Sequence, residues 1–90
     1  MSPIEVKAQV KQIIIDVAAE QKIKLPKLRD DLEIVDDLGF TSLSVTLLIA
    51  RLEDVFGVDP FSDEDFLIDD LRTVGGIGYV YAHLLQSQSA

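Results

Sequence analysis

The chain has no cysteine. That excludes a disulfide framework and a thiolate metal site, so any thiol the protein uses must come from a prosthetic group. Long apolar runs are also absent. None approaches the roughly 20 residues of a membrane span, and Met1-Ser2-Pro3-Ile4-Glu5 lacks the basic region and apolar core of a secretory signal. A cytoplasmic protein with no membrane insertion is expected. Cations are scarce beyond the first third of the chain. Residues 30–90 hold only Arg51 and Arg72 against thirteen acids, whereas residues 1–29 hold six cations against three acids. With a net charge of −8, the protein repels nucleic acid and favours basic partner surfaces.

What is present is enough apolar material for one core. Ninety residues at 48% hydrophobic fit a single domain spanning 1–90. Ser2 and Glu5 have capping-box spacing around Pro3, and Ile4, Val6, Val10, Ile13, Ile14, Val17 and Ala18 recur at roughly helical spacing. This pattern predicts a helix over residues 3–20 with a polar end at Gln21-Lys22. Pro26 prevents a continuous helix through residues 21–40. Ile23, Leu25, Leu28, Leu32, Ile34 and Leu38 should nevertheless pin this long loop onto the core, with a helical turn near residues 28–33.

Thr41 and Gly57 bracket a second helix, 42–56, as cap and left-handed stop. Its apolar residues cover more circumference than one core face needs, so part of it should face a partner or cargo. A turn at Val58-Asp59-Pro60 leads to a short helix over 62–68, capped within Ser62-Asp63-Glu64-Asp65. A last helix over 73–86 buries Val74, Ile77, Val80, Tyr81, Leu84 and Leu85. Gly75, Gly76 and Gly78 each weaken it by about 1 kcal/mol relative to alanine, and residues 87–90 should fray. The expected fold is all-α, a three-to-four-helix bundle with a long first loop.

The run Leu38-Gly39-Phe40-Thr41-Ser42-Leu43 places a serine at a helix start, just after a glycine turn. The first-turn N–H groups and the positive end of the helix dipole suit a phosphate on that serine. The run resembles the L-G-x-D-S-L attachment motif of acyl carrier proteins, and the pattern from Asp31 to Leu85 is similar to that family throughout. The resemblance implies that Ser42 bears 4'-phosphopantetheine, transferred from coenzyme A by a phosphopantetheinyl transferase using Mg²⁺. The arm's thiol would hold acyl or aminoacyl thioesters in fatty-acid-like, polyketide or other specialised biosynthesis. A free-standing, monomeric, non-catalytic carrier is implied. Its further partners would be a loading enzyme and a synthase or transferase with a basic docking surface.

The chain departs from the motif at Thr41, where the family usually has aspartate. Gly39-Phe40 is similar to polyketide carriers, and Phe56-Gly57-Val58 before Pro60 is similar to peptidyl carriers of nonribosomal peptide assembly. A peptidyl carrier and an unmodified helical adaptor are therefore the alternatives. Helical spacing places Thr41, Leu43, Ser44, Leu47, Ala50, Glu53 and Asp54 near the arm as expected docking residues, with Leu43 also anchoring the helix start. The acids Asp30, Asp31, Glu33, Asp36 and Asp37 lack the spacing of a calcium loop. The serine hydrolase motif G-x-S-x-G is absent, and His83, the only histidine, is expected at the surface or core edge.

Overall fold

The computed structural model describes residues 2–58 and 71–88. Among these residues there are three helices: α1 (Pro3–Glu20), α2 (Ser42–Phe56) and α3 (Val74–Gln88). No β-strand occurs among the described residues, only an isolated antiparallel bridge between Glu33 and Thr73. The all-α architecture follows from caps placed where apolar periodicity begins. The expected helix over 62–68 and the turn at Asp59-Pro60 lie outside the described residues.

Helix α1 opens as its sequence dictates. Ser2 caps it, its hydroxyl accepting the Glu5 N–H at 3.2 Å, with Pro3 in the first turn. Val6, Val10, Ile13, Ile14, Val17 and Ala18 form its buried face. Ile4, expected among them, is 81% exposed, because it belongs to the first turn and the packed stretch begins only at Val6.

The end of α1 uses a device the sequence hides. Lys22 sits in the left-handed region at φ 57°, the Ile23 N–H donates to Ala18 O at 2.8 Å and the Lys22 N–H to Ala19 O at 3.3 Å. These two bonds make a Schellman closure in which a lysine stands where glycine is usual. Beyond it, Lys22, Lys24 and Lys27 are exposed while Ile23, Leu25 and Leu28 pack against the core. The first loop is thus pinned by alternating apolar side chains and presents cations outward.

A single tight turn lies within residues 28–33, the Leu32 N–H donating to Arg29 O at 3.3 Å, and a fuller helix-like turn follows it. The Asp37 and Leu38 N–H groups donate to Glu33 O at 2.9 and 3.0 Å, and the Gly39 N–H to Val35 O at 3.2 Å. Residues 30–34 are occupied with the entry of α3. The Gly75 N–H donates to Asp30 O, the Val74 N–H to Leu32 O and the Ile34 N–H to Arg72 O, at 2.9, 3.0 and 2.9 Å. A helix there would take those carbonyls away from α3.

Helix α3 begins at a Thr73 cap, whose hydroxyl accepts the Gly76 N–H at 2.9 Å. It runs to Gln88 rather than ending at residue 86, so residues 87 and 88 belong to the helix instead of fraying. Tyr81 is fully buried, and its ring meets Phe56 at 5.3 Å between centroids. Leu85 is half-buried at the core edge, and His83 is exposed beside Tyr79. Helix α1 packs against both α2 and α3.

Asp30 ties the loop to α1 through Lys7 at 3.0 Å and Lys11 at 3.3 Å. The Lys7 hydrogen bond, chiefly, holds its carboxyl below the ordinary aspartate value; burial opposes this, and Lys11 adds to the lowering. A carboxylate whose pKa is lowered by folding stabilises the fold above its unfolded value, about 3.9, and ceases to do so as pH falls below that. Asp30→Asn should therefore flatten the acid limb of the stability profile below about pH 3.9, leaving other carboxylates to set what slope remains. Urea midpoints collected between neutral pH and pH 3 read this directly. An unchanged acid limb would show that the two lysine contacts do not couple to folding.

Candidate functional site at the start of helix α2

The local chain path explains why one serine is presented here. Leu38 and Phe40 are buried, and Gly39 between them adopts φ 79°. A Cβ at Gly39 would meet nothing within 4 Å, so the glycine is needed for its left-handed backbone and not for space. The turn leaves Thr41, Ser42 and Leu43 exposed.

Thr41 is the N-cap of α2, in extended conformation, and its hydroxyl accepts the Ser44 N–H at 3.2 Å. Ser42 is the first helical residue. Its carbonyl accepts from the Thr46 hydroxyl at 2.9 Å, and no hydrogen bond from the described residues reaches its own hydroxyl. Among those residues the Ser42 side chain is thus an open nucleophile with no base beside it. The arrangement suits modification by another enzyme better than catalysis by this chain.

Two expectations for neighbouring residues need correction. Leu43 is 62% exposed, so it does not anchor the helix start; Leu38 and Phe40 do. Ser44 is 1% exposed and its hydroxyl lies 3.1 Å from that of Thr41. It is withdrawn from any docking surface because it lies on the face of α2 that Leu48, Leu52 and Phe56 bury.

Of the remaining expected docking residues, Thr41, Leu43, Ala50 and Asp54 are exposed, and Leu47 and Glu53 are half-buried. Leu47 also packs against the core. Ala50 and Glu53 help line a shallow depression of about 330 Å³ with Val45, Thr46 and Ile49. This depression and exposed Val55 account for the surplus apolar surface of α2. Arg51 does not offset the acids on that face, because it binds both oxygens of Glu20 on α1, at 3.1 and 2.8 Å.

Asp30, Asp31, Glu33 and Asp37 of the first loop have partners of their own. Asp30 holds Lys7 and Lys11, Asp31 holds Arg29, Glu33 holds Arg72, and Asp37 accepts the Glu33 N–H at 2.7 Å. Among the described residues no three His, Cys, Asp or Glu side chains gather as a metal site. No helix among those residues is long and apolar enough to cross a membrane.

Geometry and chemistry together suit a phosphodiester on the first residue of α2. The hydroxyl is exposed, the preceding cap is neutral, and the first-turn N–H groups lie beside it. Thr41 is the signal in the sequence that the cap carries no charge, and the four-residue spacing of Ser44 from Leu48 is the signal that it turns inward.

Comparison with known proteins supports the same reading. Residues 8–78 match the family model described as a phosphopantetheine attachment site. The chain is 40% identical over 62 residues to an acyl carrier protein of Solidesulfovibrio magneticus, a match covering 69% of this chain and 74% of that protein. No solved structure matches it. With the family match spanning most of the chain and the three helices in place around an open serine, this protein belongs to the acyl carrier protein family, a family of non-catalytic carriers.

Proposed function

We propose that Ser42 is the residue that bears the phosphopantetheine arm. The observation that carries this is the exposed Ser42 hydroxyl at the first turn of α2, free of hydrogen bonds from the described residues and inside the matched span. When bound, the arm supplies a thiol that holds cargo as a thioester, which a chain without cysteine cannot provide itself. A phosphopantetheinyl transferase using Mg²⁺ and coenzyme A would install it on the Ser42 oxygen. Incubation with these three components should add one phosphopantetheinyl group to the wild type and none to Ser42→Ala, read by intact mass. Equal gain in both would move the attachment elsewhere.

The chain's own residues then present the arm. Gly39 and the buried Leu38 and Phe40 fix the turn, and Thr41 closes the helix start. The partners are a loading enzyme and a synthase or transferase with a basic surface, in cytoplasmic fatty-acid-like, polyketide or other specialised biosynthesis. They dock on Thr41, Leu43, Leu47, Ala50, Glu53 and Asp54. Support comes from the shared side of α2 and from the engagement of Arg51 by Glu20, which leaves Glu53 and Asp54 as the charges offered on that helix.

Glu53→Lys should raise the KM of such a partner about tenfold, equivalent to 1.4 kcal/mol, with kcat little changed. Leu47→Arg should do the same, with circular dichroism confirming that its half-buried position tolerates the change. Unchanged KM in both folded variants would remove this face of α2 from the docking surface. A peptidyl carrier role is separated from an acyl one by which loading enzyme, aminoacyl or acyl, charges the loaded protein.

A further inference from the structure

The Thr41–Ser44 hydroxyl pair has a direction. A hydroxyl carries one proton and two acceptor positions. Thr41 Oγ1 spends one acceptor position on the Ser44 N–H at 3.2 Å and lies 3.1 Å from Ser44 Oγ. Ser44 is 1% exposed, whereas Thr41 is exposed. Among the described residues Thr41 Oγ1 is the hydrogen-bond partner of the Ser44 hydroxyl. A Ser44 proton turned elsewhere would be buried without an acceptor, a state with a full desolvation penalty. A Thr41 proton turned outward meets solvent without penalty. Ser44 therefore donates, both acceptor positions of Thr41 are filled, and the Thr41 proton is left on the exposed side, one residue before Ser42.

This inference rests on the reading of Ser42 as the attachment residue; the family match, and not the helix start itself, supplies the ligand. We propose that Thr41 is a positioning residue that donates a hydrogen bond to the anionic phosphodiester on Ser42. A carboxylate at this position would cap the helix equally well but could only accept, and would repel the same group. The substitution of threonine for the family's usual aspartate thus changes the local interaction from repulsion to attraction. Loading should tighten the start of α2 in this chain, and the buried Ser44 is what keeps the Thr41 proton available.

The test compares unloaded and loaded forms of the wild type, Thr41→Ser, Thr41→Val and Thr41→Asp. Cap strength shifts the Tm of both forms and cancels in the difference between them, so the gain in Tm on loading isolates contact with the phosphodiester. The wild type and Thr41→Ser should show the same gain. Thr41→Val should lose about 3 °C of it, and Thr41→Asp should lose more. The phosphorus-31 resonance of the loaded protein should move in Thr41→Val and stay in place in Thr41→Ser. If Thr41→Val fails to fold, Thr41→Asp, which retains a strong cap, carries the comparison. An equal gain in every folded variant, with an unmoved phosphorus resonance, overturns the proposal. Fragmentation of the intact chain in a mass spectrometer distinguishes this failure from that of the parent reading, since a loaded wild type lacking its group on Ser42 would overturn both.

Discussion

Leu48→Ala is expected to lower the stability of the fold by about 3 kcal/mol and its thermal midpoint by about 15 °C. Leu48 is fully buried on α2, next to Leu52 on the same face. Truncation removes the transfer free energy of the lost carbons and leaves a cavity that neighbouring helices cannot fully close. A domain of 90 residues has only about 5–15 kcal/mol of stability to lose, so the change takes a large share. The same truncation at Leu43, one residue from Ser42 but mostly exposed, should shift the midpoint by only about 2 °C. Thermal unfolding of the two variants side by side checks the prediction. Comparable losses would mean that Leu43, and not the turn at Gly39, anchors the start of α2.

The second large effect concerns a pair of glycines that respond differently. A Cβ at Gly75 would stand 2.8 Å from Asp30 Cβ and 3.0 Å from its backbone oxygen. The Gly75 N–H also donates to that oxygen at 2.9 Å, so the backbone of the loop cannot retreat without breaking a buried-edge hydrogen bond. Alanine there gains about 1 kcal/mol of helix propensity. The overpacking costs about 1–3 kcal/mol, and the loop it displaces also carries the Lys7 and Lys11 ion pairs. Gly75→Ala should therefore be destabilising by about 1–2 kcal/mol net.

At Gly78 the obstacle is Lys7 Cγ at 2.9 Å, with its Cα at 3.7 Å. A lysine side chain can turn aside, so the propensity gain offsets the contact and Gly78→Ala should lie within about 0.5 kcal/mol of the wild type. Urea unfolding of the two variants settles the sign. Equal behaviour would show that the approach of the first loop to α3 is not what Gly75 serves.

These glycines mark the boundary between what the sequence reveals and what it conceals. Ser2, Thr41, Gly57 and Thr73 act within a few residues of themselves, by a side-chain hydroxyl or a left-handed backbone, so the caps were legible and with them most helix ends. The end of α1 at Glu20 also falls where it is expected, although the Lys22 conformation that closes it is one for which glycine is the usual signal. Gly75 and Gly78 look like mere costs to a helix until the first loop and α1 are laid against them. The tight turn at residues 29–32 lies where it is expected, but the pairing of residues 30–34 with α3, across more than thirty residues of sequence, has no local signal.

The candidate site divides in the same way. The open serine, the neutral cap and the glycine turn are neighbours in sequence and were read from it. That Leu43 is exposed depends on the depth of Leu38 and Phe40, which helical spacing does not give, whereas Ser44 shares its four-residue spacing with buried Leu48 and Leu52. The acids of the first loop lack the spacing of a calcium loop, and the fold gives Asp30, Asp31 and Glu33 protein cations and Asp37 a backbone N–H.

The most direct test of the central claim is to isolate the protein from its own host and locate any covalent group by fragmenting the intact chain in a mass spectrometer. Native isolation lets whichever transferase the host supplies act on it. The account predicts one phosphopantetheinyl group, on Ser42. An unmodified chain would favour the helical adaptor, and a group found on any other residue would contradict the role assigned to the first turn of α2.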